Sequence, residues 1–115
     1  MYYAIDGDDV GRRLEQLLLQ NDSAGAAEYS SRVANALEGI RSFFLQSGAQ
    51  VIFCAGDGLL AHSDACLEVA HLLEPADHVT FSIGIGGTPA LALLALKKAK
   101  GLGRRRVEAI KDGDG

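Results

Sequence analysis

The chain has 115 residues, 48% of them hydrophobic and 23% charged, and that composition fits one ordinary soluble globular domain. A domain of this size buries roughly 65% of its unfolded surface, enough for one core but not for two domains and a linker, so any site lies on one sheet or at a subunit contact. The net charge of −4 conceals an uneven split, because residues 1–96 carry 4 basic and 12 acidic residues and residues 97–115 carry 7 basic and 3 acidic; the acidic body excludes a uniformly basic nucleic-acid binder and leaves the basic end as a local patch for phosphates.

Tyr2-Tyr3-Ala4-Ile5 reads as a buried strand stopped by the acidic turn Asp6-Gly7-Asp8-Asp9. Val10, Leu14, Leu17 and Leu18 recur at helical spacing, and Asn21 to Gly25 break that helix. A longer helix is predicted over 26–46, with Tyr29, Val33, Ala36, Leu37, Ile40, Phe43 and Phe44 as its apolar stripe and Ser47-Gly48 as its stop. Strands follow at 50–55 and 59–62, joined by Gly56-Asp57-Gly58, where Asp-Gly supplies the positive φ that a two-residue hairpin turn requires.

Ser63 or Asp64 caps a third predicted helix over 65–73, ended by Pro75. Val79 to Ile85 has the composition of a strand. Thr88 then serves as N-cap and Pro89 as first residue of a helix that runs to Lys100, and 106–110 adds an edge strand. Residues 112–115 read as a frayed tail after a single domain over 1–111. The fold class expected is α+β: a ferredoxin-like or palm domain whose mixed, mainly antiparallel sheet is covered by helices. A doubly wound parallel sheet conflicts with the tight link at Asp57.

No apolar run approaches the ~20 residues of a membrane span, and the chain opens on a strand rather than a basic, apolar leader. A cytoplasmic protein without a membrane partner is expected. Cys54 and Cys66 lack metal-type spacing and read as buried, reduced thiols. His62, His71 and His78 form no ligand pair at i, i+4 and read as structural or surface residues.

Asp6 ends the first strand and Asp57 sits at the hairpin tip, so a central hairpin beside the first strand brings both carboxylates to one sheet edge. Two carboxylates there repel unless protonated or bridged by a cation, and hard oxygens suit Mg²⁺ or Mn²⁺ held jointly with substrate phosphates. The flanking Gly7, Gly56 and Gly58 let backbone approach a triphosphate closely. The plainer reading makes Asp57 a turn residue and Asp8 and Asp9 caps of the first helix.

Ser82-Ile83-Gly84-Ile85, followed by Ala95-Leu96-Lys97-Lys98-Ala99-Lys100-Gly101-Leu102-Gly103-Arg104-Arg105-Arg106-Val107, resembles the carboxy-terminal signature of GGDEF-type nucleotide cyclases, S-I-G-I and then A-L-x-x-A-K-x-x-G-R-x-x-V. Ala55-Gly56-Asp57-Gly58-Leu59-Leu60 stands where that superfamily has G-G-[DE]-E-F, and Asp6-Gly7-Asp8-Asp9-Val10 where it has D-x-D-x-F. The short chain and its D-G-D-D-V-G turn look most like the minimal CRISPR polymerase family, a relative of the palm domain in type III CRISPR effectors. The resemblance implies that Asp6 and Asp57 bind metal and are catalytic, that Lys100 and Arg104 hold the triphosphate, and that the backbone of Gly7, Asp8 and Asp9, with Gly56, cradles phosphates. It also implies attack of a ribose hydroxyl on an α-phosphate.

Gly58 replaces the glutamate or second aspartate of these relatives, which removes one metal ligand unless Asp8 substitutes for it. The guanine-reading Asn of the cyclases has no counterpart, and Leu14 falls near its place. The leading expectation is therefore a nucleotidyltransferase joining NTPs, adenine nucleotides first, into a cyclic di- or oligonucleotide signal in antiphage defence. One site holds one donor NTP, so a homodimer is expected to present the acceptor. The alternatives are a ring-opening hydrolase similar to archaeal GTP cyclohydrolase III and an inactive nucleotide-binding sensor.

Overall fold

The computed structural model describes residues 1–111, and the tail expected at 112–115 lies outside the described residues. In chain order the elements are β1 (Tyr2–Gly7), α1 (Val10–Leu19), α2 (Ser23–Gln46), β2 (Gln50–Ala55), β3 (Gly58–His62), β4 (Phe81–Gly86), α3 (Pro89–Gly101) and β5 (Val107–Ile110). The sheet order is β2-β3-β1-β4-β5. Three of its four pairings are antiparallel, and β4 with β5 is parallel. This is the mixed α+β sheet with helices packed on it, the ferredoxin-like palm arrangement expected.

The pleat gives the sheet two different faces. Tyr3 and Ile5 of β1, Leu59 and Ala61 of β3 and Phe81 and Ile83 of β4 point to one side and form a single core with Val33, Ala36, Leu37, Ile40 and Phe44 of α2. Those α2 positions recur every three or four residues, so one stripe of the helix meets the sheet. On the other face α3 lies against β4 with its fully buried Ala92, Ala95 and Ala99. The approach is backbone to backbone: a Cβ on Gly84 would collide with the Leu96 nitrogen and the Ala92 oxygen. Only small residues on both elements allow that contact, and it places the basic end of α3 beside the end of β1.

Several boundaries differ from the sequence reading. β1 runs through Asp6 to Gly7, and α2 starts at Ser23, where the Asp22 carboxylate accepts the Gly25 N–H at 2.8 Å. The break between α1 and α2 is short because Asn21 takes a left-handed turn, φ 58°. The helix expected over 65–73 is reduced to a single 3₁₀ turn at Ala70–Leu73. Ahead of that turn the buried Ser63 hydroxyl accepts the Ala65 N–H at 3.1 Å, and the Tyr3 hydroxyl accepts the Leu67 N–H at 2.8 Å, which ties the segment to β1. Cys66 in this segment is exposed rather than buried.

Among the described residues no helix is long and apolar enough to cross a membrane. Of the histidines, His62 packs on Tyr2 and His71 meets Phe43 edge-on.

Candidate active site

Asp6, one residue from the end of β1, is paired with Gly58 of β3 on one side and Ser82 of β4 on the other. Ala55 pairs with Gly58, so Gly56 and Asp57 alone make the β2–β3 turn. Gly56 supplies the positive φ, +60°, at the first turn position, as a type II′ turn demands, so that role falls to Gly56 rather than to Gly58. The Gly7 N–H donates to the Asp57 carbonyl at 2.9 Å, which fastens the turn to the end of β1. A Cβ on Gly7 would lie 3.2 Å from Asp57 Oδ2, a measure of how closely the second carboxylate overhangs this strand end.

Lys100 enters from the last turn of α3. Its Nζ lies 3.1 Å from Asp6 Oδ2 and 3.1 Å from Asp8 Oδ1, and it donates to the Gly7 carbonyl at 2.7 Å. Asp6 nonetheless has its pKa raised above the ordinary carboxylate value: burial raises it most, Lys100 opposes through a hydrogen bond and its charge, and Asp57 and Asp8 push it further up. A raised folded-state pKa means that Asp6 favours the fold below the ordinary carboxylate range and loses that contribution as pH rises through its own value. Carboxyl NMR titration without divalent cation is expected to show Asp6 ionising above a free aspartate. Lys100→Met is expected to move the midpoint higher still, and an unmoved midpoint would contradict this account.

Asp8 has a different role from the cap the sequence allowed. No side chain caps α1, whose N-cap Asp9 is left-handed at φ 58°. The Asp8 side chain, 6% exposed, turns inward. It accepts from the Thr80 hydroxyl at 2.8 Å, the Ser82 hydroxyl at 2.7 Å, Lys100 and the Arg105 N–H at 3.2 Å. That last donor sits in a stretch where Gly103, Arg104 and Arg105 all have positive φ, so Asp8 anchors a turn that non-glycine residues adopt at a cost.

These groups border a cleft of about 870 Å³ on the α3 side of the sheet. Asp6, Gly7, Asp9, Asp57, Lys100 and Arg104 all line it, whereas Asp8 and Gly56 are not among its lining residues. Arg104 pairs with Asp9 at 3.3 Å. The N–H groups of Gly7 and Asp8 are already taken, by Asp57 and Thr80 carbonyls. The amides free of such bonds belong to the first turn of α1, whose N–H groups have no intrahelical acceptor and lie at the positive end of the helix dipole.

Two cations of the cleft were missed from the sequence, Arg12 and Lys97. Lys97 stands three residues before Lys100 and so shares its helix face, a signal that was available. Arg12 lies off the Val10-Leu14-Leu17 stripe, and only the direction of α1 shows that its first turn borders the cleft.

A family model of the minimal CRISPR polymerase domain matches residues 2–110. The chain belongs to the minimal CRISPR polymerase family. Membership gives it a polymerase-like, nucleotidyltransferase-like role in a defence context. No curated protein matches the chain. In this minimal CRISPR polymerase Asp6, Asp57 and Lys100 come from a strand end, a two-residue turn and the last turn of one helix, and the cleft beside them is bounded along α3 from Pro89 to Lys100 and by the first turn of α1.

Proposed function

We propose that the chain is a metal-dependent nucleotidyltransferase that joins NTPs, adenine nucleotides first, into a cyclic di- or oligonucleotide signal. The observation that carries this reading is the convergence of Asp6 and Asp57 at adjacent strand ends, opposite Lys100 and Arg104, in one cleft. In the reaction a ribose hydroxyl oxygen bonds to an α-phosphorus while the bond from that phosphorus to the pyrophosphate oxygen breaks and the hydroxyl proton is released.

The donor chemistry fits Mg²⁺ or Mn²⁺. Asp6 and Asp57 offer hard oxygens, and the burden of burial and neighbouring charge on Asp6 is one that a cation relieves. Among the described residues no group of three His, Cys, Asp or Glu side chains gathers to hold a metal. Two carboxylates completed by substrate phosphates is how Mg²⁺ is commonly held. When bound, such an ion supplies charge stabilisation for phosphoryl transfer. The chain's own residues do the rest: Arg104 and Lys97 attract the β- and γ-phosphates, the first turn of α1 donates N–H groups to them, and Lys100 fixes the Asp6 carboxylate.

A cleft of this size takes one NTP, so a second copy of the chain would present the acceptor, as a homodimer. The test is incubation with each NTP and each NTP pair plus Mg²⁺ or Mn²⁺, followed by mass spectrometry. Cyclic product with pyrophosphate supports the proposal. A formylated pyrimidine from GTP would instead mark a ring-opening hydrolase, and unchanged NTP a sensor; either result overturns it.

A further inference from the structure

β2 is an edge strand whose register against β3 shifts: Val51 faces Ala61, but Phe53 faces Leu60, leaving Ile52 as an extra residue. Straight alternation would put Val51, Phe53 and Ala55 on one face. The bulge breaks that alternation, so Val51 and Cys54 pack on the core while Phe53 turns to the cleft, where it stands 53% exposed. Bulges next to functional clefts commonly re-aim a side chain in this way. A phenyl ring is thereby withheld from the core, where it would have been buried.

The cleft consequently has two chemically distinct halves. Beside the charged end, Ala4 and Leu60 form an apolar floor, Phe53 stands on one flank, and Leu93, Leu96 and Pro89 of α3 stand on the other. Ala4 pairs with Leu60, and Leu60 with Phe53, so the three lie in one row across the sheet. From Asp6 this row is about 7 Å along the strand, and Phe53 is about 10 Å across it. That separation is on the scale between the phosphates and the base of a nucleotide. The volume is within the range of small-molecule sites, roughly 300–1,000 Å³.

We propose that this apolar half is a nucleobase subsite with Phe53 as its stacking platform. The proposal rests on reading the charged half as a triphosphate site. An aromatic face beside an apolar floor accepts a base by stacking, and every base offers a π-face to it.

Calorimetric titration with Mg²⁺ and the α,β-methylene analogues of ATP and GTP, which resist turnover, tests it alongside inorganic tripolyphosphate. Phe53→Ala is expected to weaken both nucleotide analogues by about 10- to 100-fold and to leave tripolyphosphate within about twofold, while Phe53→Tyr restores their binding. The half-exposed position predicts an unchanged melting temperature for both variants. Unchanged ATP-analogue affinity in Phe53→Ala overturns the subsite, as does equal weakening of tripolyphosphate, or a dimer that dissociates while affinity per chain stays the same. Wild-type protein that binds tripolyphosphate as tightly as the ATP analogue would sink the base subsite alone. Failure to bind any of the three would sink the triphosphate reading with it.

Discussion

Asp57→Asn is expected to reduce pyrophosphate release and nucleotide joining by about 1,000-fold, equivalent to about 4 kcal/mol of transition-state stabilisation. The size follows from the role proposed for the carboxylate, since a bound cation supplies several kcal/mol and the amide replaces a charged ligand with a neutral one. The fold should be indifferent. The turn is gripped through the Asp57 carbonyl, which accepts the Gly7 N–H, and asparagine keeps both that carbonyl and the side-chain volume. Coupled measurement of pyrophosphate and of thermal melting separates the two effects. Full activity in a protein that melts normally would dismantle the proposed metal site.

Asp8→Ala is expected to have the opposite signature, a large loss of stability. Its buried carboxylate satisfies Thr80, Ser82, Arg105 and Lys100 together. Removing one partner of a buried pair typically costs about 3–5 kcal/mol, because the remaining charge and donors keep their desolvation penalty. Lys100 retains Asp6 and the Gly7 carbonyl, which places the expectation near the lower end, about 3 kcal/mol, or a melting temperature lowered by roughly 10–15 °C in a chain of this size. Denaturant titration is the check. A change of under about 1 kcal/mol would show that the 103–105 turn does not depend on Asp8.

Much of this architecture was legible in the sequence because its signals are local. The Thr88-Pro89 start of α3, the stripe of α2 and the presence of a β2–β3 hairpin follow from spacing and turn chemistry, although the turn is Gly56-Asp57 rather than Asp57-Gly58. The family resemblance, resting on motifs near Asp6, Asp57, Ser82 and Lys100, agrees with the matched model over residues 2–110. What escaped depends on partners distant in sequence. The 65–73 segment has helical spacing, yet only Ala70–Leu73 turns, and the residues before it are tied to β1 by the bond from the Leu67 N–H to the Tyr3 hydroxyl. Asp8 looks like a cap until β4 and the 103–105 turn are folded around it. The bulge that turns Phe53 outward leaves no composition signal at all, because its residues would suit an ordinary strand equally well.

The two-residue turn at Gly56-Asp57 also bears on how such a domain can diversify. Asp57 is placed by strand register, with its carbonyl engaged by Gly7. One inserted residue would carry the carboxylate away from Asp6 and break that backbone bond at once. Loop length here is therefore as much a requirement of the centre as residue identity. Residues 64–78 contribute no side chain to the cleft lining, and a change of length there leaves the β2–β3 register that places Asp57 untouched. New surfaces and new means of control can accumulate there, while the hairpin tip is held to two residues for as long as the paired aspartates are needed.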